Sequence, residues 1–155
     1  MTLQRLVLAF SLCVAAMAQG ADKTPPDELD PRNWSAPGRA ATESHYSPLS
    51  EINRGTVSRL RLAFTLDLQA HTALSTPLAI DGVIYLAAGY SLVTAVDART
   101  GKVSWQHDPE VARVAGQKLR AGAGIRGLAA SKGRLFVGTH DGRLLALDAK
   151  KGTLL

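Results

Sequence analysis

Cysteine is all but missing from this chain: Cys13 is the single one in 155 residues. It lies in an apolar run, Leu6 to Val14, preceded by Arg5 and followed by Ala16-Met17-Ala18. That order is the charged n-region, h-region and small-x-small cleavage site of a secretory signal, assigned to residues 1–18. Phe10-Ser11-Leu12 ahead of the cysteine does not make a lipoprotein cleavage box. Cleavage is therefore expected to leave a cysteine-free mature protein, which excludes a disulfide framework, a thiol nucleophile and a thiolate metal site. The run is also too short for a stable membrane span.

Aromatic residues make up only 5% of the chain, and its 18 Lys and Arg against 13 Asp and Glu are scattered rather than striped. Without a basic face interleaved with aromatics, the net charge of +5 reads as solubility and not as a nucleic-acid footprint. His45, His71, His107 and His140 share no short ligand spacing, so no metal site is expected from them. A G-x-S-x-G elbow is absent, which leaves a serine hydrolase unsupported. Gly122 to Gly127 spells G-x-G-x-x-G, but a mildly helical segment precedes it and a strand is expected after it. A dinucleotide fingerprint needs the reverse order, so nicotinamide binding is set aside.

What the chain does have is a repeat. Gly82 to Ser104 overlays Gly133 to Leu155 without a gap at a spacing of 51. Gly82/Gly133, Ala95/Ala146, Asp97/Asp148, Ala98/Ala149 and Gly101/Gly152 are identical, and Tyr85/Phe136 and Val96/Leu147 are conservative pairs. Short strands repeating at a period of roughly 40–50 residues point to propeller blades. In the first copy strands are predicted over Thr76 to Ile80, Val83 to Ala87, Leu92 to Val96 and Val103 to His107. The second predicts Arg126 to Ala130, Arg134 to Val137, Arg143 to Leu147 and a strand from Thr153. Asp81-Gly82 is a hairpin signal, and Asp97 and Asp148 suit turns in which the carboxylate accepts backbone N–H groups. Trp105 follows one such turn and can lie between blades; the chain stops one residue before the matching position, so it reads as a piece of something longer.

The fold class is thus all-β, a partial propeller of about two four-stranded antiparallel blades. Residues 19–57 read as a linker, rich in proline through Pro25, Pro26 and Pro31, and a docking segment in which Trp34 anchors the chain to the body. Ser50 to Leu60 holds a short helical turn, and Val111 to Leu119 is mildly helical. The propeller occupies 58–155, with repeats near 74–108 and 125–155. Leu60, Leu62, Phe64, Leu66 and Leu68 alternate with Arg61, Ala63, Thr65 and Asp67, which predicts a half-buried strand.

Tyr46-Ser47-Pro48-Leu49-Ser50-Glu51-Ile52-Asn53, followed by Val57, Leu60, Ala63 and Phe64, resembles the N-terminal signature of pyrroloquinoline-quinone (PQQ) dependent alcohol dehydrogenases. So do Thr76-Pro77-Leu78 with Asp81 to Tyr85, and Ala95 to Lys102 with Trp105, which looks like that family's tryptophan-docking motif. Arg126 to Ala129, Gly138-Thr139 and Asp141 to Leu144 continue the likeness over residues 33 to 155. The resemblance implies an eight-bladed periplasmic enzyme that oxidises an alcohol or related substrate, holds PQQ and calcium at its hub, and passes electrons to an acceptor. It carries over one cofactor-binding residue, Arg126, whose guanidinium suits a carboxylate of PQQ. No catalytic or metal-ligating residue is carried over, so this stretch alone is expected to be catalytically incomplete, with an exposed blade edge open to self-association. Where many members have adjacent cysteines this chain has Arg120 and Ala121, and where many have a cofactor-contacting glutamate it has Leu74. The alternative is a cofactor-free propeller serving as a periplasmic binding or assembly scaffold.

Overall fold

A computed structural model describes residues 30–39, 43–68, 75–119 and 124–155. The segment 1–18 expected to be a secretory signal, with Cys13, and also His71, Leu74, Arg120 and Ala121, lie outside the described residues. The chain forms β1 (Leu78–Ile80), β2 (Val83–Ala88), β3 (Leu92–Asp97) and β4 (Val103–His107). A short helix α1 (Val111–Ala115) and a 3-10 turn (Gly116–Lys118) then lead to β5 (Ala129–Ser131), β6 (Arg134–Gly138) and β7 (Leu144–Asp148). Sheet order is β1-β2-β3-β4 and β5-β6-β7, with every neighbouring pair antiparallel. These are two blades of a β-propeller, the second with its fourth strand begun by the Leu147–Leu154 bridge.

The repeat in sequence is a repeat in hydrogen bonds. Val96 pairs with Val103 as Leu147 pairs with Leu154. The Ala98 N–H donates to the Gly82 carbonyl at 2.9 Å, and the Ala149 N–H donates to the Gly133 carbonyl at 3.0 Å. Asp81 and Gly82 both have positive φ, as do Lys132 and Gly133, which is the backbone of a tight hairpin whose twist matches its strands. The Asp97 carboxylate accepts the N–H groups of Arg99 and Thr100 at 3.0 and 2.7 Å; Asp148 does the same for Lys150 and Lys151, both at 2.9 Å.

Alternation along the strands builds the core between the sheets. Leu78, Tyr85, Ala87, Val93 and Ala95 of the first blade meet Ile125, Leu128, Leu135, Val137 and Leu147 of the second. Each fully buried leucine or valine is worth about 1.5–3 kcal/mol relative to exposure, so this layer is what joins the blades. Trp105 completes it: its ring lies against Gly152 and its indole N–H donates to the Ala149 carbonyl at 3.1 Å. The Tyr85 hydroxyl donates to that same carbonyl at 3.2 Å, filling its second lone pair.

Two expectations need correction. The inner strands begin later than the sequence pattern indicates, at Leu78 and Ala129. Pro77 has no N–H for a ladder, and Thr76 and Gly127 pair with each other across the blades in a parallel bridge. Residues 60–68 form no strand, and Leu62 is 80% exposed. A period of two reports which side chains can share a face, but a strand also needs a partner, and none stands beside this segment among the described residues. Its placement is nevertheless blade-like, because Phe64 packs against Gly101 as Trp105 packs against Gly152.

Trp34 docks as expected. It exchanges two backbone hydrogen bonds with Ala79, at 2.7 and 2.9 Å, on the free edge of β1. Asn33 is buried, and its side chain bonds the Asp81 backbone N–H and carboxylate, so Asn33-Trp34-Ser35 offers no free glycosylation acceptor. The helical turn before Leu60 is a 3-10 turn at Val57–Arg59.

Candidate functional site

Antiparallel connectivity sorts the loops by end. One end collects the hairpins at 81–82 and 132–133 and the aspartate turns at 97–101 and 148–152. The other end collects Thr76, Arg126 and Gly127 at the starts of the inner strands, the turns at 89–91 and 139–143, and the connection from β4 to β5. A ligand held where the inner strands begin therefore faces Arg126 and not the aspartate turns.

Arg126 enters that end on fixed backbone. Its carbonyl accepts the Thr76 N–H at 3.0 Å, and its neighbours Ile125 and Leu128 are buried. The side chain is exposed and makes no hydrogen bond or ion pair among the described residues. A guanidinium held in this way can grip a carboxylate through two parallel N–H bonds. The chemistry of that side chain is compatible with a carboxylate-bearing ligand. Gly122 and Ala123 of the glycine-rich run lie outside the described residues, and what surrounds the run is a short helix before and a strand after. That order opposes a dinucleotide fingerprint, as expected. Among the described residues no cluster of three or more His, Cys, Asp and Glu could hold a metal ion.

Beside Arg126's connection stands a network that the motif reading passed over. Asp141 accepts the Arg143 Nε–H at 2.8 Å and pairs with Nη2 at 2.7 Å, while the Thr139 hydroxyl donates to its other oxygen. Only 5% of the Asp141 side chain is exposed. The Arg143 guanidinium, then the Thr139 hydroxyl, hold its carboxyl at about 2, well below the ordinary value. Arg143 Nη2 also donates to the Pro109 carbonyl at 2.7 Å. The His140 N–H reaches the buried Ser91 hydroxyl at 3.1 Å, linking the corresponding turns of the two blades. His140-Asp141-Gly142 reads in sequence as a turn, which it is. The available signal was the Asp-x-Arg spacing, which places opposite charges on the same side of the strand entering the sheet.

At the opposite end, Tyr85, Ala130, Leu135 and Ala149 line a cavity of about 220 Å³ between the blades. Burial first, then the Asp81 and Asp148 charges, push the Tyr85 phenol up from its ordinary value. Its hydroxyl is committed to Ala149, so it is a structural group and not an acid or base for chemistry.

Comparison with known proteins places the fold in a family. The model of the family described as "PQQ: Glucose/ethanol/alcohol dehydrogenase, beta-propeller domain" matches residues 34–155. The chain is 39% identical over 168 residues to the dehydrogenase subunit of a quinone alcohol dehydrogenase from Komagataeibacter europaeus. That match takes in 99% of this chain and 23% of the relative. The crystal structure of quinohemoprotein alcohol dehydrogenase from Comamonas testosteroni superimposes with a TM-score of 0.72 at 39% identity, over 80% of this chain and 19% of that one. A europium-containing methanol dehydrogenase gives 0.71 at 31% identity, over 83% of this chain and 23% of that one. The chain thus spans about a quarter of these relatives.

Proposed function

This chain belongs to the PQQ glucose/ethanol/alcohol dehydrogenase β-propeller family, and from that premise we propose that it is the N-terminal portion of a secreted, periplasmic quinoprotein dehydrogenase acting on an alcohol or related substrate. PQQ, when bound, supplies an ortho-quinone that takes up hydride equivalents from the alcohol carbon. The part played by these residues is binding and placement. Arg126 holds a carboxylate of the cofactor, and the inter-blade core fixes the backbone from which Arg126 projects. Calcium is the implied metal, with ligands from other blades of the parent protein, and a separate electron acceptor completes the turnover. On this reading the portion alone is catalytically incomplete.

The observation that carries the reading is the placement of Arg126. A guanidinium without a partner among the described residues stands just before the inner strand of a blade that belongs to the PQQ propeller family. The test uses the complete gene product, titrated with PQQ and calcium and assayed for alcohol-dependent dye reduction. Wild type is expected to bind PQQ, and Arg126→Ala to bind it at least about tenfold more weakly, as for loss of a charge-assisted bond. Equal affinity removes Arg126 from the site. No affinity in either protein favours the cofactor-free scaffold instead.

A further inference from the structure

The turn between β6 and β7 is tied down more heavily than a propeller turn requires. Its counterpart between β2 and β3 lies 51 residues earlier, where Thr139, Asp141 and Arg143 correspond to Ala88, Tyr90 and Leu92. The first blade makes the same turn with no charge at all. A carboxylate with so little of its side chain exposed is costly unless it is paired, and here Arg143 pairs it. What differs is the neighbour. Arg143 reaches out of its own turn to the Pro109 carbonyl at 2.7 Å, at the start of the connection that runs through α1 to Arg126. Among the described residues this is the one hydrogen bond between that turn and residues 108–119. Between them lies a cleft of about 540 Å³ lined by Val114, Lys118, Leu119 and His140 along with the pair itself.

We propose that Asp141 and Arg143 are positioning residues, clamping the start of the β4–β5 connection at Pro109 and so adding, to the hold of Thr76 and the core on the Arg126 backbone, a second restraint on the segment that presents Arg126 at the cofactor end. Asp141 Oδ2 holds the guanidinium on its Nε and Nη2 side, and the second N–H of Nη2 donates to the Pro109 carbonyl. Thr139 orients the carboxylate and also accepts the Arg143 N–H at 3.1 Å, so the clamp is braced from both sides. A lysine at 143 keeps the charge but cannot span two acceptors in this fork. The inference rests on the reading that Arg126 contacts the cofactor.

The test has two arms, both on the complete gene product. In the first, hydrogen exchange is measured without cofactor for wild type and Arg143→Lys. Exchange within 110–119, at amides such as Val114 and Leu119, is expected to quicken about tenfold, with β6 and β7 unchanged. In the second, PQQ affinity is measured for Arg143→Lys, Arg126→Ala and the double variant. Arg143→Lys is expected to weaken binding about tenfold, and the double variant to bind no more weakly than Arg126→Ala alone, because a positioning residue has nothing left to position. Asp141→Asn is expected to match Arg143→Lys in both arms, and carries the test if Arg143→Lys does not fold. Unchanged exchange at 110–119, or fully additive losses in the double variant, overturns the inference while leaving the family reading intact. Failure of wild type to bind PQQ overturns the cofactor reading of Arg126, and this inference with it, while the family assignment stands.

Discussion

The six-membered ring of Trp105 rests on the backbone of Gly152, so closely that a Cβ built there would fall 2.6 Å from the indole Cδ2. Phe64 stands in the same relation to Gly101, where a Cβ would meet its Cγ at 2.5 Å. Both glycines have φ of +70°, a conformation that a side chain strains. The glycine in the aspartate turn therefore has two duties, turning the chain and admitting a ring from the preceding segment. Gly152→Ala and Gly101→Ala are each expected to cost about 1–3 kcal/mol from overpacking alone. Urea denaturation measures it, and a neutral result at both would show that the rings do not seat there.

Tyr85 and Trp105 share the Ala149 carbonyl and lie with ring centroids 6.0 Å apart. Tyr85→Phe keeps the ring and leaves the carbonyl satisfied by the indole N–H. A loss near the low end of the usual hydrogen-bond range, about 0.5–1 kcal/mol, is expected. A much larger loss in thermal or chemical unfolding would mean that the hydroxyl holds more than this one acceptor.

Acid should release the Asp141 pair in a defined window. Its carboxyl sits at about 2 in the folded chain against an ordinary 3.8. A depressed folded value means that the stabilisation is complete above about pH 4 and is lost as pH falls through about 2. The gap in Tm between wild type and Asp141→Asn is therefore expected to be constant at neutral pH and to close between pH 4 and 2. A gap that ignores pH would dismiss the charge pair as its source.

The second blade presents an apolar flank. Leu144 is 75% exposed, and Leu155, whose N–H donates to the Ala146 carbonyl two residues along the same face, is 65% exposed. Expressed as this chain alone, the protein is expected to self-associate with rising concentration, and Leu144→Lys to shift gel filtration towards monomer. A sharply melting monomer at all concentrations would contradict this.

The blades were legible because their signals are local. Asp97 and Asp148 close their turns within three residues, Asp81-Gly82 fixes its hairpin on the spot, and the gapless repeat aligns both registers. Trp105 could be assigned to the inter-blade layer from the repeat alone. What escaped depends on contacts between segments distant in sequence. Residues 60–68 have the alternation of a strand but no neighbour to pair with among those described, and Thr76 turns from its own sheet to meet Gly127. Arg126 is proposed for the site through family resemblance alone, whereas the reach of Arg143 to Pro109 spans 34 residues and leaves no periodic trace. Polar networks of this kind satisfy buried groups one at a time, so they obey geometry rather than pattern.

The seating of an aromatic ring on the next sheet's glycine also has a handed consequence. The first blade donates Trp105 on one side and receives Phe64 on the other, so the contact is not self-complementary. Surfaces of that type add head to tail and end either in a closed circle or in an unbounded string, not in a two-fold pair. Whether the protein becomes a finished wheel or a fibre is thus decided by the small angle between successive sheets, which the girth of the seated ring helps to set.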